Sequence, residues 1–391
     1  MILGLIFFIV VEILFLLIFK HLWDKVSLKK IILWNIIPLF VLVILFLYLS
    51  FDKDFLLSSV TYVFYLTTLY FVFWFPKFLF TLFYVFLSVP LIFLKISKLL
   101  KFRKFFTISI SLVFFLVLLY GIFWGSRIIS VTKKSVVVSK LPEKFDGIKI
   151  LQISDLHLGS IWNKSSFLVK LINKINDLNP DIVVLTGDIV NQYYQELNGT
   201  DSILNKIIAP LGKFAVLGNH DFGDYLIWKC PKEKERNIAN IVNALNKSGF
   251  KVLRNEHFYV IRENDSIAII GVDNWGKRAL KRYGDIEKAS NKVKHFSIVL
   301  SHDPTYWEEK IVKTIPNSIT FSGHTHAFQF GFCFKDCCWS PVSWVYRQWW
   351  GLYSINESFL YVNRGIGMVG FLGRVGMSPE ITLVELKRGY E

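Results

Sequence analysis

The first 125 residues carry stretch after stretch of apolar side chains, and the residues that follow do not. A helix needs about 20 consecutive apolar residues to cross a bilayer. Ile2–Phe19 meets that at the short end, interrupted by Glu12, and Ile31–Ser50 meets it easily. Leu56–Leu94 runs for 39 residues with Pro76–Lys77 inside it, and Thr107–Gly125 qualifies again. Up to Gly125 there are 11 Lys+Arg and 4 Asp+Glu, whereas the remainder holds 34 and 26, an ordinary density for a domain in water. The chain therefore reads as a transmembrane anchor over residues 1–126 with about four helices, a linker and first strand over 127–147, and a globular domain over 148–391. No small-residue cleavage site follows the first stretch, so it is read as a retained span and not as a signal peptide.

The long stretch decides the topology. Lys20–Lys30 and Lys95–Lys104 are rich in cations, and the positive-inside rule wants both in the cytoplasm. They share a side only if an even number of spans lies between them. Ile31–Ser50 plus one long span through Leu94 satisfies this, and splitting the long stretch in two does not. Thr107–Gly125 then runs outward, and the globular domain is expected outside the cytoplasm, on a bacterial inner membrane. The net charge of +15 fits loops that set orientation and sit near anionic headgroups. No nucleic-acid-binding motif is present, so no nucleic-acid partner is expected. The four cysteines, Cys230, Cys333, Cys337 and Cys338, contain no C-x-x-C pair, which excludes a zinc ribbon or thioredoxin motif. Cys333 can pair with Cys337 or Cys338 if the domain is exported; unpaired thiols fit the sequence as well.

Past Gly125 the pattern becomes one of alternating strands and helices. Strands are predicted at Ile148–Ser154, Asp181–Thr186, Phe214–Leu217, Lys251–Arg254, Phe258–Arg262, Ile267–Val272, His295–Leu300, Ser318–Ser322, Phe359–Val362 and Ile381–Leu386. Helices are predicted at Ser165–Leu178, around Ser202–Ile208, and at Glu233–Ser248, the last stopped by Gly249. Five apolar strands end in clusters of metal-capable residues: Asp155-x-His157, Gly187-Asp188, Gly218-Asn219-His220-Asp221, His302-Asp303 and Gly323-His324-x-His326. In α/β sheets ligands gather at the carboxyl ends of strands, so these clusters can converge. Five of the eight histidines fall in them. Singly, an Asp-x-His or a Gly-Asp is an ordinary strand-end pair or turn; together, in this order, they are a site. Each x-spaced pair shares a face if its segment is extended, and Gly187, Gly218 and Gly323 suit sharp bends or close approaches.

This series resembles the calcineurin-like metallophosphoesterases, over roughly Lys149 to Leu386, and most nearly their bacterial membrane-associated branch. The resemblance implies an α/β sandwich of two packed sheets flanked by helices, here preceded by the helical membrane region. It implies one metal held by Asp155, His157, Asp188 and His326, and a second held by Asp188, Asn219, His302 and His324. His220 then faces the phosphate as proton donor or charge stabiliser, with Asp221 orienting it. Two divalent ions suit phosphoryl transfer because they clamp the attacking and leaving oxygens and lower the pKa of water. Mixed imidazole, carboxylate and amide ligation favours Mn, Fe or Zn over Ca or Mg. Gly187-Asp188 continues as Ile189-Val190-Asn191, unlike the protein-phosphatase branch.

Between Phe328 and Tyr353 lies a segment holding Trp339, Trp344, Tyr346, Arg347, Trp349 and Trp350. Trp349 and Trp350 are candidates for a lip that admits a phospholipid or lipid-linked phosphate, since Trp favours the headgroup zone; a satellite hydrophobic cluster is the plainer alternative. Arg364 and Arg374, in the Gly-rich run Asn363–Gly376, are candidate phosphate clamps, and surface ion pairs explain them equally well. The expected activity is hydrolysis of phosphate mono- or diesters, including lipid-linked ones, by metal-activated water, with manganese-dependent phosphodiesterase action as one form. The alternative is a membrane-bound metal-binding protein without turnover, in a sensor or assembly role.

Overall fold

The computed structural model describes the chain apart from residues 1, 24, 28, 34, 36–39, 41–52, 95–96, 227, 277–280, 336 and 390–391. The described residues divide into two units: Met1–Phe123 with Gly370–Gly373, and Trp124–Val369 with Arg374–Glu391. Among the described residues the first unit holds the helices α1 (Ile2–Leu22), α2 (Lys53–Leu94) and α3 (Ser97–Tyr120). Most of the expected span Ile31–Ser50 lies outside the described residues. The long apolar stretch lies in one helix that runs on through Pro76–Lys77. Among the described residues, Phe64–Val89 and Lys101–Gly125 are long and apolar enough to cross a membrane. The one acid embedded in the first apolar stretch has a partner, since Glu12 lies 3.5 Å from the Lys77 ammonium.

The second unit holds two six-stranded sheets. The strands are β1 (Ser130–Val138), β2 (Ile148–Ile153), β3 (Ile182–Thr186), β4 (Lys213–Val216), β5 (Lys251–Val252), β6 (Glu256–Arg262) and β7 (Asp265–Gly271). They continue as β8 (Ser297–Leu300), β9 (Ile319–Ser322), β10 (Phe332–Phe334), β11 (Cys337–Trp339), β12 (Gly351–Ile355), β13 (Ser358–Val362) and β14 (Glu380–Arg388). One sheet has the order β1-β14-β2-β3-β4-β5 and the other β12-β13-β9-β8-β7-β6; β10 and β11 form a separate hairpin. β2, β3 and β4 are mutually parallel, as are β7, β8, β9 and β13. β1 pairs in parallel with β14 along nine residues, from Ser130↔Glu380 to Val138↔Arg388.

Period-two alternation sorts the strand residues into layers. Ile148 and Ile150, Ile182 and Val184, and Phe214 and Val216 turn inward from the first sheet. They meet Ile267 and Ile269, and Ile298 and Leu300, from the second. The alternate residues Leu151 and Ile153, Val183 and Leu185, and Ala215 and Leu217 face the other way. They pack on α4 (Lys164–Asn176) through Leu168, Leu171, Ile172 and Ile175, whose spacing makes one helical stripe. Ala268, Ile270 and Val299 do the same for the second sheet, under Trp307 and Ile311. Each such aliphatic side chain, fully buried, contributes about 1.5–3 kcal/mol before chain entropy is counted. The result is the implied sandwich of two packed sheets with helices outside. Helix α5 (Pro231–Lys247) starts with proline in its first turn, and Gly249, at φ 81°, follows its end. The layering leaves the carboxyl ends of β2, β3, β4, β8 and β9 free to converge.

Candidate metal centre

Those five strand ends bring the expected residues together. Asp155, His157, Asp188 and His326 each offer an atom to one group whose members lie within 4.8 Å of one another; Asp188, His302 and His324 form a second such group. Asp188 belongs to both. Its Oδ2 lies 3.1 Å from His302 Nε2 and 3.5 Å from His157 Nε2. Asn219 Oδ1 is 3.0 Å from His302 Nε2, on the side of the second group. Asp155, His157, Asp188 and His302 are buried, so water does not screen them.

The pairs do not reach the site from extended backbone as the spacing suggested. Asp155, His157, Asp188, His324 and His326 all have positive φ, between 41° and 73°. Left-handed backbone at non-glycine residues costs about 1–3 kcal/mol each and persists where the surroundings over-determine it. Each kink lets a strand end turn two side chains in one direction without continuing the strand. The glycines serve by close approach. A Cβ at Gly218 would collide with the Asp188 carboxylate, and one at Gly323 with Ser154 and Asp155.

Outer partners decide which ring nitrogen faces inward. His157 Nδ1–H donates to Asn191 Oδ1 (2.9 Å), and His302 Nδ1–H to the Thr186 carbonyl (2.7 Å). His324 places Nε2 on the Tyr346 hydroxyl (2.8 Å). Where the outer nitrogen alone carries the proton, as in neutral His157, the inward nitrogen is a lone pair, the form that ligates a metal. The inward nitrogens lie close together, with His157 Nε2 3.1 Å from His326 Nε2 and His324 Nδ1 3.2 Å from His302 Nε2. That donor set fits cations lying among the rings. His326 is the exception, because its outer Nδ1 faces the Arg374 guanidinium at 3.3 Å and no acceptor fixes its tautomer.

The electrostatics agree. Burial works against charge on Asp188, but His302, His220 and His157 around it hold its carboxyl well below the usual range. Burial, with Asp188 nearby, pushes Asp155 up to about 7. Burial and the neighbouring His220 push His157 down to about 3, and burial also lowers His324 and His326. Only His302 goes up, to about 10, because the pull of Asp188 and Asp155 exceeds its own desolvation. The same pull acts on any cation placed there.

His220 lies apart from both groups. Its backbone N–H donates to Asp188 Oδ1 (2.9 Å), and its Nδ1–H donates to the Asn191 carbonyl (2.7 Å). The expected partner, Asp221, is not what orients it. The Asp221 carboxylate accepts from the backbone N–H groups of Ile189, Val190 and Gly218, so it braces the turn instead. Burial and the nearby Asp188 push its pKa up to about 8. Tyr225 flanks the His220 ring, with centroids 4.7 Å apart, and its hydroxyl accepts from Asn219.

Asn191 therefore serves two histidines, one through its side chain and one through its carbonyl. Glu196 holds that loop, its buried carboxylate accepting from the backbone N–H groups of Gly159, Asn191, Gln192 and Tyr193 at 2.7–3.0 Å. Burial raises the Glu196 pKa and the four amides pull it back. Asn191, Glu196 and Tyr346 carry no motif signal, since one works partly through its main chain and the others work on neighbours. Asn191→Ala should weaken metal retention or turnover by roughly 10–100-fold, the usual effect of losing a ligand's outer partner. Metal titration followed by calorimetry checks this, and unchanged affinity and turnover would refute it.

The proposed arginine clamps are engaged by the protein itself. Arg364 Nε donates to Glu380 (3.2 Å) and its Nη2 to Ser130 Oγ (3.0 Å). Arg374 is fully buried and donates to the carbonyls of Gly367, Met377 and Arg364. Trp349 and Trp350 are half-buried. Trp350 donates to Glu380 under the Arg364 guanidinium, and the Trp349 carbonyl accepts from Thr325. Cys333 pairs with Cys338, which leaves Cys230 and Cys337 as exposed thiols.

A family description of calcineurin-like phosphoesterases matches residues 148–328. The metallophosphoesterase YkuE of Bacillus subtilis is 32% identical over 266 residues, covering 66% of this chain and 86% of that protein. A transmembrane protein with a metallophosphoesterase domain from Danio rerio is 30% identical over 268 residues, covering 66% of this chain and 57% of that protein. The UDP-2,3-diacylglucosamine pyrophosphatase LpxG of Chlamydia muridarum is 29% identical over 274 residues, covering 58% and 81%.

Proposed function

The chain belongs to the calcineurin-like phosphoesterases and is a metal-dependent phosphoester hydrolase, and from that premise we propose a membrane-anchored enzyme acting on lipid-linked phosphate esters outside the cytoplasm. The observation that carries the chemistry is the convergence of buried Asp and His side chains around Asp188, with His157 and His302 oriented from behind by the acceptors Asn191 and Thr186. Asp155, His157, Asp188 and His326 would hold one ion, and Asp188, Asn219, His302 and His324 the other. When bound, two such ions polarise a phosphoryl group and lower the pKa of water. The protein's own parts do the rest. His220, tethered through Nδ1, can present Nε2 to the phosphoryl or leaving oxygen. Burial of the ligands excludes bulk water from their charges.

Similarity to LpxG, whose name specifies an acylated sugar nucleotide, supports a lipid-linked substrate. Two candidate spans and the similarity to a transmembrane relative support anchoring. A continuous α2 supports the even span count that turns the catalytic unit outward. A Cys333–Cys338 disulfide fits an oxidising compartment, which is also outside the cytoplasm.

The test is turnover by the full chain in detergent, after chelation and readdition of Mn²⁺, Fe²⁺ or Zn²⁺. Bis-p-nitrophenyl phosphate, p-nitrophenyl phosphate and a lipid phosphate in mixed micelles are the substrates. Chelator-sensitive hydrolysis, with the lipid ester preferred, is expected. A folded, metal-loaded protein that cleaves none of them overturns the reading; cleavage of only the water-soluble esters removes the lipid part.

A further inference from the structure

The segment between the last metal-binding histidine and β12 exposes large apolar side chains that the half-buried Trp349 and Trp350 do not account for. Phe328, Phe332, Phe334, Trp344 and Val345 are each between 55% and 78% exposed, all within residues 328–345. Phe332 meets Trp339 at 5.4 Å between ring centroids, and Trp339 meets Trp344 at 5.5 Å, so three of the rings form one ladder. β10 and β11, three residues each, join neither sheet. A hairpin so short is marginal on its own in water. Here Cys333 and Cys338, opposite one another in register, close it covalently. A staple in place of a core lets the hairpin hold its aromatic side chains out of the protein.

We propose that this stapled hairpin, with Phe328, Trp344 and Val345 beside it, docks into the headgroup zone of the bilayer that anchors the chain. The proposal deepens the lipid-linked reading above and rests on it for the membrane. Three observations choose lipid over a protein partner. Trp favours the headgroup level of a bilayer, and Phe beside it supplies apolar area that inserts at the acyl boundary. Lys335, at the hairpin turn, lies 6.0 Å from the Phe334 ring, a cation placed to reach lipid phosphates while its stem lies along apolar surface. Only residues 126–129 separate the candidate span Lys101–Gly125 from β1, so even a weak lipid-binding surface in this unit acts at high effective concentration.

The segment is also tied to the metal centre. Ser340 Oγ donates to the Ala327 carbonyl (2.7 Å), Thr325 Oγ1 to the Trp349 carbonyl (2.6 Å), and Tyr346 meets His324. Docking here therefore holds the histidine loop at the lipid surface, where a lipid-borne phosphate is presented.

Cys337 is an exposed thiol on the hairpin and serves as the reporter. The full chain, with Cys230→Ser, is labelled at Cys337 with a maleimide nitroxide. It is reconstituted in vesicles of equimolar phosphatidylethanolamine and phosphatidylglycerol. Collision rates with oxygen and with a water-soluble nickel chelate give the depth of the label. A several-fold excess of oxygen over nickel collisions is expected, falling to the aqueous ratio in Phe334→Ser/Trp344→Ser. That variant changes only exposed side chains, and its metal content reports its fold. An aqueous ratio without the two substitutions overturns the proposal, as does a membrane ratio that survives them. Spin–spin broadening with an aqueous ratio would assign the surface to a second copy of the chain, which also overturns it. Label depth is independent of turnover, so failure of the docking and failure of the phosphoesterase reading are separately visible.

Discussion

His220→Ala should lower turnover of an alkyl phosphate ester by roughly 10²–10⁴-fold, the range for losing a positioned acid–base group, while metal content stays unchanged. The basis is position. His220 lies outside both ligand groups, is tethered through Nδ1 to the Asn191 carbonyl, and sits against the His157 ring at 4.8 Å. Two roles are open to an imidazole there, and the leaving group separates them. A proton donor matters most when the departing oxygen is basic, as in an alkyl or glyceryl ester. p-Nitrophenolate departs without a proton, so the variant should lose far less on that ester. A ring that only stabilises charge on the phosphoryl oxygens would instead depress both substrates equally. Equal activity of variant and parent on alkyl esters would remove His220 from the mechanism altogether.

Asp188→Asn should do more damage, and by another route. Asp188 is shared by the two ligand groups, and its Oδ1 also accepts the His220 backbone N–H. An amide keeps the shape but removes the charge that His302, His220 and His157 are arranged around. Turnover should fall by at least about 10³-fold on every substrate, the upper end for removing one preorganised electrostatic group. Unlike His220→Ala, the variant should also lose bound metal, as measured by elemental analysis of the purified protein. Excess metal should restore it only in part. Retention of both ions with full activity would show that the site does not depend on a bridging carboxylate.

Much of this was legible in the sequence because strand ends carry a signature. The inner core strands predicted from apolar runs appear within a few residues, and Asp155, His157, Asp188, Asn219, His302, His324 and His326 converge from five of their ends. What escaped has physical reasons. β10 and β11 are too short for any period to show, and are held by a disulfide whose partner at Cys333 was ambiguous between adjacent cysteines. The left-handed backbone at the ligands has no residue-type marker, because it is imposed by packing at positions where propensity argues against it. Asn191 acts through a carbonyl, which every residue has, and Glu196 acts on four amides that no side-chain pattern reveals. Arg364 and Arg374 left phosphate clamp and surface ion pair equally open, because a glycine-rich run does not show what an arginine in it meets. Here one completes a buried pair with Glu380 and the other caps carbonyls.

The pairing of β1 with β14 sets an order of events during biogenesis. β1 emerges directly after the last candidate span, yet its nine-residue partner is made only after the other twelve strands. Until then the Ser130–Val138 segment has an unsatisfied edge, and β2 also lacks its β14 neighbour. Such a long-range closure is slow, and open edges invite wrong pairing while it waits. Completion of the sheet thus waits on the distal strand, which must arrive on the same side of the membrane as the proximal one. A ribosome-stalled or truncated chain lacking β14 would present an unclosed sheet to the quality-control machinery, even with every candidate metal ligand already synthesised.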